Sequence, residues 1–183
     1  DAYPSMSKPD DFPYNHCGAA VLLEYDQGSS RGFWSIEQRT RNTGRDEASG
    51  RVNLYEDKEK SRYRIYVRYE EDYVRLLLEH AIDTAKDYLD RHSPSAEGLV
   101  LLCSQLAPDF GSELALGIGV AEDHTIDVYA DYGDPHSSAL GIAYHLGTKN
   151  GLLPSADSVL FVNAGTGLSV GCGLYSPNLV QPR

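Results

Sequence analysis

Apolar residues in this chain fall into short uniform runs and one long periodic stretch. Val159, Leu160, Phe161 and Val162 stand together without polar alternation, the pattern of a strand buried on both faces. Gly165 and Gly167 follow and allow a tight reversal, so 168–175 reads as a strand running back. The run 98–103 predicts a second, uniformly apolar strand, and 125–129 a third. Residues 17–25 predict a buried strand, paired with 32–39 across a loop of about five residues. The periodic stretch is 70–91, where Val74, Leu77, Leu78, Ala81, Ala85, Tyr88 and Leu89 recur at helical spacing with no Gly or Pro inside. Ser93-Pro-Ser95 stops it. A short helix is predicted over 109–116, and a longer one over 136–149 that Asn150-Gly151 ends. Strands alternating with helices, then two strands in succession, predict an α/β layered fold with both sheet faces covered.

Between these elements the chain is polar. Residues 42–60 predict a long loop, and 1–13, rich in Pro and polar groups, an exposed connection. The first residue is Asp1, and the chain is expected to begin mid-protein. At 183 residues and 41% apolar content it has material for one core, and no run approaches the roughly 18 apolar residues of a membrane span. A net charge of −11 argues against nucleic acid as a partner. Residues 31–68 depart from that balance with ten basic against six acidic side chains. They predict a solvated face or a dock for an anionic carrier or phosphate. The three cysteines, Cys17, Cys103 and Cys172, fit neither a disulfide framework nor zinc spacing, and point to reduced, cytoplasmic thiols with no metal site. Gly165, Gly167 and Gly171 miss the dinucleotide fingerprint by one residue and lead into a strand where a helix is needed. The tyrosines Tyr63, Tyr66, Tyr69 and Tyr73 read as packing surface, with a smaller chance of bordering a substrate channel.

Three motifs in order carry a resemblance. Asn163-Ala-Gly-Thr-Gly-Leu-Ser-Val-Gly-Cys-Gly-Leu-Tyr175 resembles the closing glycine motif of the β-ketoacyl-acyl-carrier-protein synthases III, members of the thiolase superfamily. Asn15-His-Cys-Gly-Ala-Ala-Val-Leu-Leu23 resembles the family's Asp-Gly-Ala-Gly-Ala strand, and Asp131-Tyr-Gly-Asp134 the turn that bears its active-site Asn. The resemblance covers residue 15 to the end and implies a thiolase-like layered fold (αβαβα). On this reading 1–14 is a connecting segment, 15–69 holds the last strands of the N-terminal half and a basic loop, and 70–183 is the C-terminal half.

The same resemblance implies an acyltransferase of fatty-acid or polyketide-type biosynthesis. Its substrate is an acyl-coenzyme A or acyl-carrier-protein thioester, and no cofactor is needed. The family's Cys nucleophile falls upstream of Asp1, in a missing N-terminal half or a paired ketosynthase-like subunit, and the assembly implied is a dimer. Two catalytic positions depart from the pattern: the family's His falls on Ser104, beside a retained Gln105, and its Asn on Asp134. Ser104 is no base at neutral pH, and an ionised Asp134 repels a developing oxyanion, so decarboxylative condensation is disfavoured. What remains is His136, two residues after Asp134, as general base with Asp134 fixing its tautomer, or a plain turn in which Asp134 shapes the backbone and His136 begins the helix. Gln105, Gly165 and Gly167 are the expected substrate-binding positions. A chain that keeps the core but has lost the catalytic groups also fits a non-catalytic partner of an active homologue.

Overall fold

The computed structural model describes residues 13–25, 29–43, 48–52 and 65–177. Its centre is a five-stranded sheet of β1 (Gly32–Thr40), β4 (Leu99–Cys103), β5 (Thr125–Ile126), β6 (Ser158–Gly165) and β7 (Ser169–Ser176), in the order β1-β7-β6-β4-β5. β4 runs parallel to both β5 and β6, whereas β7 is antiparallel to β6 and to β1. A separate hairpin pairs β2 (Ala48–Val52) with β3 (Ile65–Tyr69).

Every residue of β4 is buried, as its uniform apolarity predicts. Alternate side chains serve two cores. Leu99, Leu101 and Cys103 join Leu160, Val162 and Leu174 under α1 (Tyr73–His92) and α2 (Phe110–Ile118). Val100, Leu102 and Val159 pack on the other face against Ala143 of α4 (Ala139–Lys149) and Leu153 of α5 (Leu152–Ser155). A four-residue helix, α3 (Tyr129–Tyr132), precedes α4. The long helix holds the stripe read from sequence: Leu77, Ala81, Ala85 and Tyr88 are fully buried. It ends where Ser93 turns left-handed and its N–H bonds the Leu89 carbonyl at 2.7 Å.

Tyr88 also repairs the sheet. The β1–β7 register slips between Phe33 and Ser35, a bulge that interrupts the ladder beside Leu174. The Tyr88 hydroxyl accepts the Leu174 N–H at 3.1 Å and donates to the Ser35 carbonyl at 2.9 Å, so both backbone groups stay bonded.

The structure alters three expectations. Residues 17–25 form no strand, and Val21, Leu22, Leu23 and Tyr25 are 64%, 84%, 80% and 89% exposed. Among the described residues no strand lies alongside to complete a ladder there, and β1 pairs with β7 instead. The predicted loop 42–60 contains β2, whose partner β3 was read only as a tyrosine-rich surface. Strand 125–129 shortens to Thr125–Ile126 before the chain turns into α3. No helix among the described residues is long and apolar enough to cross a membrane.

The basic stretch is largely neutralised where it is described. Arg39 pairs with Asp87, Arg41 with Asp83 at 3.2 Å, and Arg68 with Glu70 at 3.2 Å. Arg45, Lys58, Lys60, Arg62 and Arg64 lie outside the described residues. Arg91 grips Glu37 with two hydrogen bonds of 2.5 and 2.7 Å, and with His92 it holds that carboxyl down to about 2. A carboxyl depressed in the folded state stabilises above its unfolded pKa, near 4.5, and that contribution is lost as pH falls through about 2. Arg91→Gln is expected to return Glu37 toward its ordinary range in an NMR titration; a value unchanged near 2 would show that the clamp is not its cause.

Candidate functional site

The sheet opens a site where its parallel strands end. From β4 the chain passes to β5 on one side and returns through β6 on the other, so the carboxyl ends of β4 and β6 diverge at a topological switch point. Ser104 follows β4 directly, and Asn163, Ala164 and Gly165 close β6 beside it. The turn before α4 brings Asp134 and His136, β3 and the start of α1 bring Tyr69 and Tyr73, and the segment before β1 brings Tyr14. With Leu106, Ser137, Leu140 and Thr166 these residues line a cavity of about 270 Å³.

Ser104 is buried at 6% exposure, and its hydroxyl is used in both directions. It accepts the Ala164 N–H at 2.9 Å and donates to Asn163 Oδ1 at 3.1 Å. A hydroxyl whose single proton is committed to a neighbouring amide ties the ends of β4 and β6 together. Asn163 had been read only as part of the glycine motif; its contact with Ser104 is decided across 59 residues of sequence.

Asp134 is 7% exposed, and its Oδ1 accepts the backbone N–H of His136 at 2.7 Å. That bond is the turn-shaping role of Asp. His136 opens a single 3₁₀ turn with φ of 50°, and its ring lies 4.2 Å from the ring of Tyr14, tilted by 45°. The Asn15 N–H donates to the Asp134 carbonyl at 2.8 Å, and Asn15 Nδ2 donates to the Tyr132 carbonyl at 2.5 Å. The segment around residue 15 is thereby fastened to the turn.

Three tyrosines form the opposite wall. The Tyr14 and Tyr69 hydroxyls are hydrogen-bonded to each other, and Tyr69 stacks on Tyr73 at 4.6 Å and 14°. Burial pushes all three phenols up, Tyr73 to about 12, and the nearby Asp134 charge adds to the rise in each. They remain protonated donors at any physiological pH.

Of the positions singled out from sequence, Ser104, Asp134, His136 and Gly165 therefore converge on one cavity. Gln105 and Gly167 stand apart from its lining. Gln105 is 1% exposed and points behind β4, its Nε2 3.4 Å from the Cys103 carbonyl and close to Gly111 of α2. Gly167 makes the β6–β7 reversal with φ of 78°, followed by Leu168 with φ of 48°. Tyr14, Asn163 and Thr166 join the lining without a signal of their own in the sequence, and Tyr69 and Tyr73 of the tyrosine-rich run line it too. Cys103, at the end of β4, is fully buried, and burial raises its thiol to about 12, the mark of an inert structural cysteine.

No protein-family model and no curated protein matches the sequence. Solved structures do. The chain is similar to 3-oxoacyl-(acyl carrier protein) synthase III of Pseudomonas aeruginosa at 18% identity and a TM-score of 0.66, covering 81% of this chain and 45% of that one. It is also similar to the synthase III of Aquifex aeolicus, at 14% identity and a TM-score of 0.67 over 82% of this chain and 46% of that one. For the synthase III of Thermus thermophilus the identity is 14% and the TM-score 0.67, over 86% of this chain and 49% of the other. The chain thus spans about half the length of the structures it matches. At these identities the likeness is one of architecture: this chain has the thiolase-like α/β fold of the 3-oxoacyl-acyl-carrier-protein synthases III.

Proposed function

We propose that the chain is part of a ketosynthase III-like acyltransferase. It would take an acyl group from a coenzyme A or carrier-protein thioester and pass it to a small acceptor, in fatty-acid or polyketide-type biosynthesis. The observation that carries this reading is the convergence of Ser104, Asp134, His136 and Gly165 on one cavity at the switch point of a synthase III-like sheet. The nucleophile is assigned to protein outside this chain, in an N-terminal half or a paired ketosynthase-like subunit, and the assembly to a cytoplasmic dimer. In the first step the nucleophile's thiolate attacks the thioester carbon, a C–S bond forms to the enzyme, the donor's C–S bond breaks and the donor leaves as its thiolate. In the second the acceptor attacks the acyl-enzyme carbonyl, His136 takes the acceptor's proton, the acyl C–S bond breaks and the enzyme thiolate is regenerated. Protonated His136 then passes its proton to solvent or to the departing donor thiolate.

Decarboxylative condensation is not part of this proposal. The Ser104 hydroxyl is committed to Asn163 and Ala164, and the Asp134 carboxylate would face the anionic enolate with like charge. A second reading has one observation in its favour. The same bonds make Ser104 a clasp between two strands, as befits a non-catalytic partner subunit that keeps the core of an active homologue.

Radiolabelled acyl-coenzyme A supplied to the complete native assembly separates the two. The acyltransferase reading expects covalent label that survives denaturation and leaves when the acceptor is added. Absence of label from every chain would sink it and favour the partner role.

A further inference from the structure

The two faces of the central sheet are covered unequally. Leu160, Val162, Val170 and Leu174 are fully buried in the core beneath α1 and α2, whereas on the other face α4 packs on β4 and β5 and leaves part of β6, β7 and β1 beyond it. Cross-strand partners share a face, so the register sets Phe33 and Tyr175 in line with Val159, and Ile36 and Gly173 in line with Phe161, on the α4 side. Phe33 is 45% and Ile36 70% exposed there, and the Phe33 ring lies 5.0 Å from that of Phe161. The charged residues of β1 turn the other way, Glu37 to Arg91 and Arg39 to Asp87 of α1. What the open face presents is therefore apolar and uncharged among the described residues, with a floor at Gly171 and Gly173 where no side chain stands.

The outer side of α4 is incomplete in a matching way. Ala139, Ala143 and Gly147 are its buried residues, and helical geometry puts Gly141 and His145 on the opposite side. The segment before β1 crosses α4 there: a Cβ at Gly141 would stand 2.6 Å from the Ala19 Cβ, and Ala19 and Ala20 share a cavity with Gly141, Ile142 and His145. Beyond that contact Val21, Leu22 and Leu23 are exposed in succession, and none of the described residues hydrogen-bonds the backbone of 19–25. Successive apolar side chains suit a strand buried on both faces, and open backbone groups suit a strand with a neighbour.

We propose that these two surfaces form one docking site for a second α/β half, whose sheet takes residues 19–25 as a strand and whose apolar, uncharged helix lies on the β6–β7–β1 face beside α4. A single layered partner meets both needs, since a helix set alongside α4 falls in the same layer, between this chain's sheet and a sheet that includes 19–25. The structures that share this fold leave room for it, because the chain spans only 45–49% of their length. That the second half also brings the nucleophile rests on the acyltransferase reading above; the docking itself does not.

Hydrogen exchange tests this by comparing the complete native assembly with this chain expressed alone. Amides of 19–25 are expected to exchange at least about tenfold more slowly in the assembly. Ile36→Asp puts a charge where the helix would cover it, and is expected to speed that exchange in the assembly by roughly tenfold. Leu116→Asp, at an exposed position on α2 away from this face, is expected to leave it unchanged. The comparison on the unaltered chain needs no variant to fold. Equal exchange of 19–25 in the two samples, equal effects of the two substitutions, or a native protein made only of copies of this chain would each overturn the proposal. Protection of 19–25 without acyl labelling would leave this inference standing while the acyltransferase reading fell, and labelling with 19–25 unprotected would do the reverse.

Discussion

Leu160→Ala is expected to lower the unfolding free energy by about 2–5 kcal/mol, the range for truncating a fully buried leucine. Leu160 is 0% exposed at the middle of β6, paired with Leu101 of β4 on one side and Leu174 of β7 on the other. It belongs to the cluster beneath α1 and α2, so the cavity left by truncation is walled by two strands and two helices that cannot all relax into it. Urea unfolding of the two proteins measures the difference, with an unchanged slope expected. Leu116→Ala is the comparison: Leu116 is 83% exposed on α2, and its loss is expected to stay within about 0.5 kcal/mol. Equal effects at the two positions would contradict the placement of the core.

Gly133→Ala is the second large effect, and it acts on the site. Gly133 has φ of 62° and ψ of −144°, a region near the one that is essentially glycine's alone, where a side chain costs about 1–3 kcal/mol. A Cβ there would also run into the side-chain amide of Asn15. Asn15 would have to give up its bond to the Tyr132 carbonyl, a further loss of about 0.5–1.5 kcal/mol. Tyr14 moves with Asn15, so its contact with His136 opens as well. The expected result is a lower melting midpoint in thermal unfolding. Gly18→Ala, at a glycine with no positive φ and no atom within 4 Å of the added carbon, is expected to leave the midpoint unchanged. A Gly133→Ala protein as stable as the parent would show that the turn is not fastened as described.

The elements that announced themselves were those whose burial is decided locally. Val159–Val162 and the 98–103 run are apolar on both faces because helices cover both sides of the sheet, and no pairing partner needs to be known to read that. The helix at 70–91 is legible for the same reason, since its stripe repeats within its own sequence. Residues 17–25 have an equally apolar sequence and failed the same rule. A strand requires a neighbouring backbone as well as apolar side chains, and among the described residues none lies beside them. β3 shows the converse: Tyr66 and Tyr69 hide an alternation that only pairing with β2 turns into a strand.

The candidate site divides along the same line. Residue type alone marked Asp134 and His136, because a carboxylate and an imidazole in one turn are chemically conspicuous, and the motif order marked Ser104. Sequence by itself determined the layered α/β character, the long helix and the closing hairpin. Tertiary structure decided what those residues touch. Ser104 meets Asn163 because parallel pairing sets Cys103 opposite Val162, and Tyr14 reaches Tyr69 across 55 residues because the hairpin β2–β3 and the Asn15 anchor end at one place. Local sequence carries propensity and burial; contacts between distant residues follow from strand order and register, which only the folded sheet fixes.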